Sequence, residues 1–157
     1  MRYLFFLFIA IGLFACKTTE KSRSEEQPKK KHEKPYYVNM KDIIIDPNRG
    51  PAPEPDFEMV SWTANRGVLE VIVTYAGGCE EHVFNAYFSG MWLKSQPAQA
   101  MIEIEHLNPK NDPCRSIVKD TLAFDLEPIQ YPAADEMFVK WSSDPLMQAR
   151  YKYEKED

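Results

Sequence analysis

Apolar side chains recur at every second position through much of this 157-residue chain. The clearest run is residues 68–76, in which Leu69, Val71, Val73 and Tyr75 fall on one face. An extended chain alternates its side chains between two faces, so this spacing predicts half-buried β-strands. The other segments with strand character are residues 38–45, 57–64, 82–89, 98–107, 116–126, 137–141 and 147–153.

These short strands are separated by turns rich in Gly, Pro and Asn, which is the pattern of an all-β domain. We expect an antiparallel β-sandwich or a partly open barrel. Helix should be minor, because no long window shows an apolar stripe with the helical period of about 3.6 residues. Asn65, Arg66 and Gly67 predict the turn of a hairpin between residues 57–64 and 68–76.

The N-terminus carries a basic Arg2, an apolar run over residues 3–13 and then Leu13-Phe14-Ala15-Cys16. The run is too short to cross a hydrocarbon core of ~30 Å, which needs ~20 residues as a helix, but it suits a signal peptide. Its ending resembles the cleavage site of bacterial lipoproteins, in which the cysteine is lipidated. We therefore expect residues 1–15 to be removed and Cys16 to anchor the protein in a membrane. The alternative is a short N-terminal anchor that stays uncleaved.

This interpretation predicts an extracytoplasmic protein of the bacterial cell envelope, with the outer membrane as the expected location. Residues 17–35 contain no aliphatic side chain, so we expect residues 16–35 to form a lipidated, disordered tether. Residues 36–157 are then one β domain, in which eleven Lys and Arg stand against twenty Asp and Glu, a net charge of −9. An acidic domain repels phosphate backbones, so nucleic acid is a poor candidate partner.

Assigning Cys16 to lipid leaves Cys79 and Cys114, and two thiols outside the cytoplasm usually form a disulfide. Alternating strand directions bring both cysteines and two histidines to one end of the sheet. If residues 82–89 and 98–107 pair about a centre near Lys94, His82 lies directly opposite His106 on the apolar face. We expect these two imidazoles to be neutral and to share a hydrogen bond.

Three roles are open for this cluster. The leading one is a structural disulfide beside a packed histidine pair, which requires no cofactor. The second is a zinc or copper site, since two thiolates and two imidazoles match a tetrahedral ligand set. The third is a thiol enzyme in which Cys79 is the nucleophile and a histidine is its base. The ligands of the metal alternative would be Cys79, His82, His106 and Cys114.

The segment YAGGCEEHVF at residues 75–84, followed later by DPCR at residues 112–115 and LAFDL at residues 122–126, carries a resemblance. It resembles a group of uncharacterised bacterial lipoproteins that have a Gly-Gly-Cys-x-x-His-x-Phe segment and a later Cys before a Phe-Asp-Leu strand. The resemblance covers residues 75–126. It implies a shared all-β domain on a lipid anchor, and no established activity.

Met91, Trp92 and Leu93 follow Gly90 and could form an exposed recognition tip, or could fold back over the end of the core. The sequence shows no nucleophile elbow, phosphate-binding glycine loop or HExxH motif. We therefore expect a structural or ligand-binding domain, with an unknown protein or small ligand as its partner, and not an enzyme.

Overall fold

A computed structural model describes residues 37–51, 53–107 and 112–154 of the chain. The expected signal peptide, the lipidated Cys16 and the tether lie outside the described residues. No helix within the described residues has the length and apolar character needed to cross a membrane. The elements are β1 Met40–Asp42, β2 Ile44–Ile45, β3 Phe57–Asn65, β4 Val68–Gly77, β5 Val83–Leu93, β6 Ala98–Leu107, β7 Ser116–Asp125, a 3-10 helix Glu127–Ile129, β8 Glu136–Trp141 and β9 Gln148–Lys152.

The strands form two sheets, with the orders β1-β7-β4-β3 and β2-β5-β6-β8-β9. Neither sheet closes into a barrel, so the expectation of an all-β sandwich is confirmed and the barrel alternative is not. The expectation of purely antiparallel pairing is wrong, because β1–β7, β2–β5 and β6–β8 are parallel. After β6 the chain crosses to the four-stranded sheet to form β7. It then returns to the five-stranded sheet, where β8 pairs with β6 in the parallel direction.

The core lies between the two sheets and follows the predicted alternation. Strand β4 buries every second residue from Leu69 to Tyr75, and β5 does the same from Phe84 to Phe88. Trp62 of β3 joins the sheets, since its Nε1 donates to the carbonyl oxygen of Val139 in β8 at 2.9 Å. The chain itself crosses between the sheets at Ile43, which is only 4% exposed.

The predicted hairpin turn is confirmed between β3 and β4. Asn65 pairs with Val68, so the turn has two central residues, Arg66 with φ 49° and Gly67 with φ 83°. Positive φ at both positions is the geometry that suits the twist of a two-residue hairpin. The far end of this hairpin, where Phe57 pairs with Tyr75, is the end at which the histidines lie.

Candidate functional site

Both histidines lie on the inner face of the sandwich, but the register differs from the expected one. Phe84, and not His82, lies opposite His106, which is a shift of two residues. The shift arises because β5 extends to Leu93, which moves the centre of the turn beyond Lys94. An irregularity between Phe88 and Trp92 then reduces the register difference towards the histidine end. A shift of two residues preserves the face of every side chain, whereas a shift of one would have reversed it.

Four side chains form a continuous chain of hydrogen bonds at this end of the sandwich. Nδ1 of His82 lies 2.8 Å from Nε2 of His106. The outer nitrogens each meet a carboxylate: Nε2 of His82 is 2.8 Å from Oδ2 of Asp112, and Nδ1 of His106 is 2.7 Å from Oδ1 of Asp56. Both imidazoles are 1% exposed, whereas the exposed fraction is 5% for Asp112 and 48% for Asp56. The histidine pair is therefore an internal link between a buried and a half-exposed carboxylate.

Asp112 is the most heavily bonded member of this chain. Its Oδ2 also accepts hydrogen bonds from the backbone N–H groups of residues 78–80, at 2.9 to 3.3 Å, and its Oδ1 accepts one from the N–H of Cys114 at 2.7 Å. The hydrogen bond with His82, reinforced by these backbone donors, holds the pKa of Asp112 well below its ordinary value. Asp112 is therefore a stable anion that organises the loop after β4.

The glycine at the end of β4 makes room for His82. Gly77 has φ +147°, and a Cβ at this position would overlap the His82 ring and lie 2.9 Å from Oδ2 of Asp112. Only glycine combines this backbone angle with the missing side chain. Packing against His82 therefore explains Gly77, whereas a Cβ on Gly78, which has φ +108°, would lie 2.9 Å from the side chain of Val118.

Cys79 and Cys114 are paired as a disulfide, with their Cα atoms 5.6 Å apart. The four residues of the predicted cluster thus separate into a sulfur pair and an imidazole pair, connected through Asp112. Among the described residues, the only set of three ligand groups within 4.8 Å of one another is Cys79, Asp112 and Cys114. Within the described residues, the Cys2His2 ligand set of the metal alternative is therefore not gathered around one point.

The carboxylates give direction to the outer hydrogen bonds of this chain. An ionised carboxylate only accepts hydrogen bonds, so Nε2 of His82 donates to Asp112 and Nδ1 of His106 donates to Asp56. The predicted contact between the two rings is present, with Nδ1 of His82 facing Nε2 of His106.

Asp56 and Asp112 are the site residues that sequence reasoning missed. A signal for Asp56 was present, since it directly precedes β3, whose first residue the hairpin pairing places at the same end as Tyr75. Asp112 stands two residues before Cys114, so any disulfide to Cys79 brings it to the Gly77 loop. Neither signal specified a contact with a histidine. The aspartates precede β3 and β7 of one sheet, whereas the histidines belong to β6 and the start of β5 in the other sheet.

A second feature is a cavity of about 480 Å³ at the edge of the sandwich, which we call the edge pocket. It opens where β1 and β2 are too short to cover β7 and β5, since β1 pairs only with residues 123–125 and β2 only with residues 87–88. Lys41, Glu81, His82, Asp120 and Leu122 are among its lining residues. The Nζ of Lys41 also donates to the carbonyl oxygen of Phe84 at 3.1 Å.

The predicted recognition tip is divided between the core and the solvent. Trp92 packs against the rings of Phe88 and Tyr131, and its Nε1 donates to the carbonyl oxygen of Ile129 at 3.0 Å. Its neighbours Met91 and Leu93 are 71% and 54% exposed. The structure therefore places the indole over the end of the core, and only the two flanking side chains reach solvent.

No protein-family model and no curated protein matches this sequence. Several solved structures resemble it in fold. A NigD-like immunity protein from Bacteroides caccae shares 17% identity at a TM-score of 0.45, over 71% of this chain and 57% of its own. A protein of unknown function from Bacteroides vulgatus shares 14% sequence identity at a TM-score of 0.48, over 76% of this chain and 58% of its own. A candidate lipoprotein from Bacteroides fragilis shares 9% sequence identity at a TM-score of 0.47, over 75% of this chain and 72% of its own. The chain thus spans less than three fifths of the first two proteins.

Proposed function

We propose that this protein is a lipid-anchored binding protein of the bacterial cell envelope, held at the outer membrane through Cys16. The observation that carries the proposal is the sequence Leu13-Phe14-Ala15-Cys16 after an apolar run too short to span a bilayer. The pairing of Cys79 with Cys114 supports the same compartment, because disulfides persist in oxidising surroundings.

We place the binding role in the edge pocket. Its volume, about 480 Å³, is within the usual range for small-molecule sites. Lys41 supplies a positive charge, and Asp120 and Glu81 supply negative ones, while Leu122 and Phe124 form an apolar wall. This combination suits a small zwitterionic ligand that carries one acidic and one basic group.

The two alternatives receive less support from the geometry. A thiol enzyme needs a thiolate and a nearby base, yet Sγ of Cys79 is bonded to Cys114 and both ring nitrogens of His82 have partners. A zinc or copper site on the four Cys and His residues would first require reduction of the sulfur pair. A free-thiol count on the purified protein tests both alternatives, and we expect no free thiol.

The anchor is tested by expressing the full chain in a lipoprotein-processing bacterium and measuring the intact mass of the membrane fraction. We expect a protein that begins at Cys16, carries lipid and partitions into detergent. The control is Cys16→Ser, which should keep the signal peptide and lose the lipid. A wild-type mass that retains Met1 or lacks lipid would contradict the proposal.

The edge pocket is tested with a panel of zwitterionic amino acids and dipeptides, read out by thermal shift. We expect Leu122→Trp to abolish any stabilisation, because the indole would fill the cavity from its inner wall. The matched control is Ile117→Trp on the same strand, at a side chain that is 75% exposed and outside the pocket lining. A panel without binders, or equal binding by both variants, would remove the pocket from the proposal.

A further inference from the structure

One strand of the four-stranded sheet is uncovered along most of its outer side. Three of the ten residues of β7 pair with β1, and no strand among the described residues pairs with residues 116–122 on the side away from β4. The pairing of β7 with β4 runs through all ten residues without an irregularity, so this edge is regular. We call residues 116–122 the free edge. A strand edge of this kind is a template for pairing with a further strand.

Backbone N–H groups of the free edge point away from β4 at alternate residues. The N–H of Thr121 donates to Oδ1 of Asp120 at 2.7 Å, which is a local acceptor and not a neighbouring strand. Residues two apart in a strand present their N–H groups to the same side, so those of Ile117 and Lys119 face the same way. The free edge therefore offers a row of main-chain donors at the side of the sheet.

The residues just before β1 do not continue along this edge. Residues 38–39 form a turn, and the hydroxyl of Tyr37 donates to Oε2 of Glu70 at 2.7 Å. Glu70 alternates with the buried residues of β4 and so lies on the outer face of the sheet. This hydrogen bond directs the chain away from the free edge, which lies beside the edge pocket because residues 120–122 belong to the pocket lining.

We propose that the free edge binds an extended peptide of another protein as an additional β-strand, with a basic side chain of that peptide inserted into the edge pocket. The inference rests on the proposed function and specifies its ligand as a peptide strand. The side chains of an added strand alternate between the two faces of the sheet, as they do in β7. Its inward side chains lie beside Val118, Asp120 and Leu122.

The carboxylates of the edge pocket favour a basic side chain. Asp120 contributes to the pocket from β7, and Glu81 contributes from the segment before β5 in the other sheet. A peptide carbonyl replaces Asp120 as the acceptor of the Thr121 N–H, which frees the carboxylate to pair with Lys or Arg. Two residues further along the same face of the peptide, an acidic side chain meets Lys41. One strand thus supplies both charges of the zwitterionic ligand.

A second copy of this chain is a poorer occupant of the free edge. Antiparallel pairing of two free edges about their centre places Lys119 opposite Lys119, or Asp120 opposite Asp120. Like charges directly opposite each other destabilise a strand pair. The net charge of −9 on residues 36–157 also makes two domains repel each other, whereas it attracts a basic partner.

The test measures the binding of fluorescent, end-blocked peptides to the full chain in detergent by fluorescence anisotropy. The peptides match the free edge in length, alternate Thr with Val, and carry Arg and Glu two residues apart, in one order for each strand direction. N-methylated forms provide the control, since methyl groups on alternate amides block only one edge of a strand. We expect methylation of one set of amides to abolish binding and methylation of the other set to leave it unchanged.

Two pairs of variants locate the peptide on β7. Lys119→Pro removes an outward N–H and should weaken binding about 10-fold or more, whereas Lys119→Ala keeps this N–H and should retain most of the binding. Asp120→Asn keeps an acceptor for the Thr121 N–H but loses the charge, and should weaken binding about 5-fold. Its control is Glu58→Gln on β3, at an exposed side chain outside the pocket lining. Circular dichroism verifies that each variant is folded.

Equal binding of both N-methylated forms, or equal effects of Lys119→Pro and Lys119→Ala, would overturn the inference. The N-methylated peptides decide the matter even if Lys119→Pro does not fold. A wild-type dimer that Lys119→Pro dissociates would assign the edge to a second copy, and peptide binding only after deletion of residues 17–35 would assign it to the tether; either result refutes the proposal. If amino acids or dipeptides bind in a manner that Leu122→Trp abolishes while no longer peptide binds, the strand is refuted and the edge pocket stands.

Discussion

At one end of the sandwich, where β4 and β6 finish, polar groups and a sulfur pair close the core; at the other, Trp92 and the 3-10 helix close it by aromatic packing. The histidine end satisfies the loop N–H groups of residues 78–80 with one carboxylate, Asp112. The tryptophan end buries apolar area and makes a hydrogen bond from Trp92 to Ile129. Directional contacts depend on each atom and on protonation, whereas apolar burial depends mainly on volume. The two ends should therefore respond differently to substitution and to pH.

The largest effect is expected from the sulfur pair. The double variant Cys79→Ala, Cys114→Ala opens a loop in which the two cysteines are 35 residues apart. The chain-entropy relation predicts a loss of about 4 kcal/mol in the free energy of unfolding. Urea denaturation at pH 7 measures this loss. A loss below about 1 kcal/mol would show that the histidine end does not depend on its covalent link.

The next largest effect is expected at the opposite end. Trp92→Ala removes the contacts with Phe88 and Tyr131 and should lower the free energy of unfolding by about 3 kcal/mol. The control is Met91→Ala, at a side chain that is 71% exposed, which should change it by about 0.5 kcal/mol at most. Equal effects in the two variants would mean that the indole does not close the core.

A smaller and pH-dependent effect distinguishes the ends. The folded-state pKa of Asp112 is depressed, so its carboxylate stabilises the fold above the unfolded-state pKa of about 3.9, and this contribution is lost as pH falls below that value. Asp112→Asn should therefore be less stable than the wild type at pH 7, with the difference shrinking towards pH 3. Trp92→Ala should show the same deficit at both pH values. Urea midpoints at pH 7 and pH 3 provide the comparison, and a constant deficit for Asp112→Asn would contradict it.

The smallest effect is expected at the outer carboxylate. Asp56 is 48% exposed, so its contact with His106 is screened by solvent. Asp56→Asn should cost about 0.5 kcal/mol in the free energy of unfolding. Nitrogen NMR of the histidine rings should nevertheless report a changed proton distribution on His106. An unchanged ring spectrum would show that the carboxylate does not orient the imidazole.

The same contrast explains how far sequence reasoning reached. Burial of alternate residues in β4 and β5 was predictable, because the faces of a strand follow from a period of two. The sequence did not decide whether Trp92 is exposed or folded over the core. The residues that contact its indole, Tyr131 and Ile129, lie far from it in the sequence. The hydrogen-bonded chain was predicted only in its central link between His82 and His106.

By itself, the sequence determined the strand character, the hairpin turn at Arg66 and Gly67, and the inward direction of both histidines. These properties are local, or depend only on parity, and parity survives a register shift of two residues. The tertiary structure alone decided the parallel pairs, the register and the two carboxylates. Asp56 reaches His106 across 50 residues of sequence and Asp112 reaches His82 across 30, so these contacts exist only because two separately hydrogen-bonded sheets pack face to face.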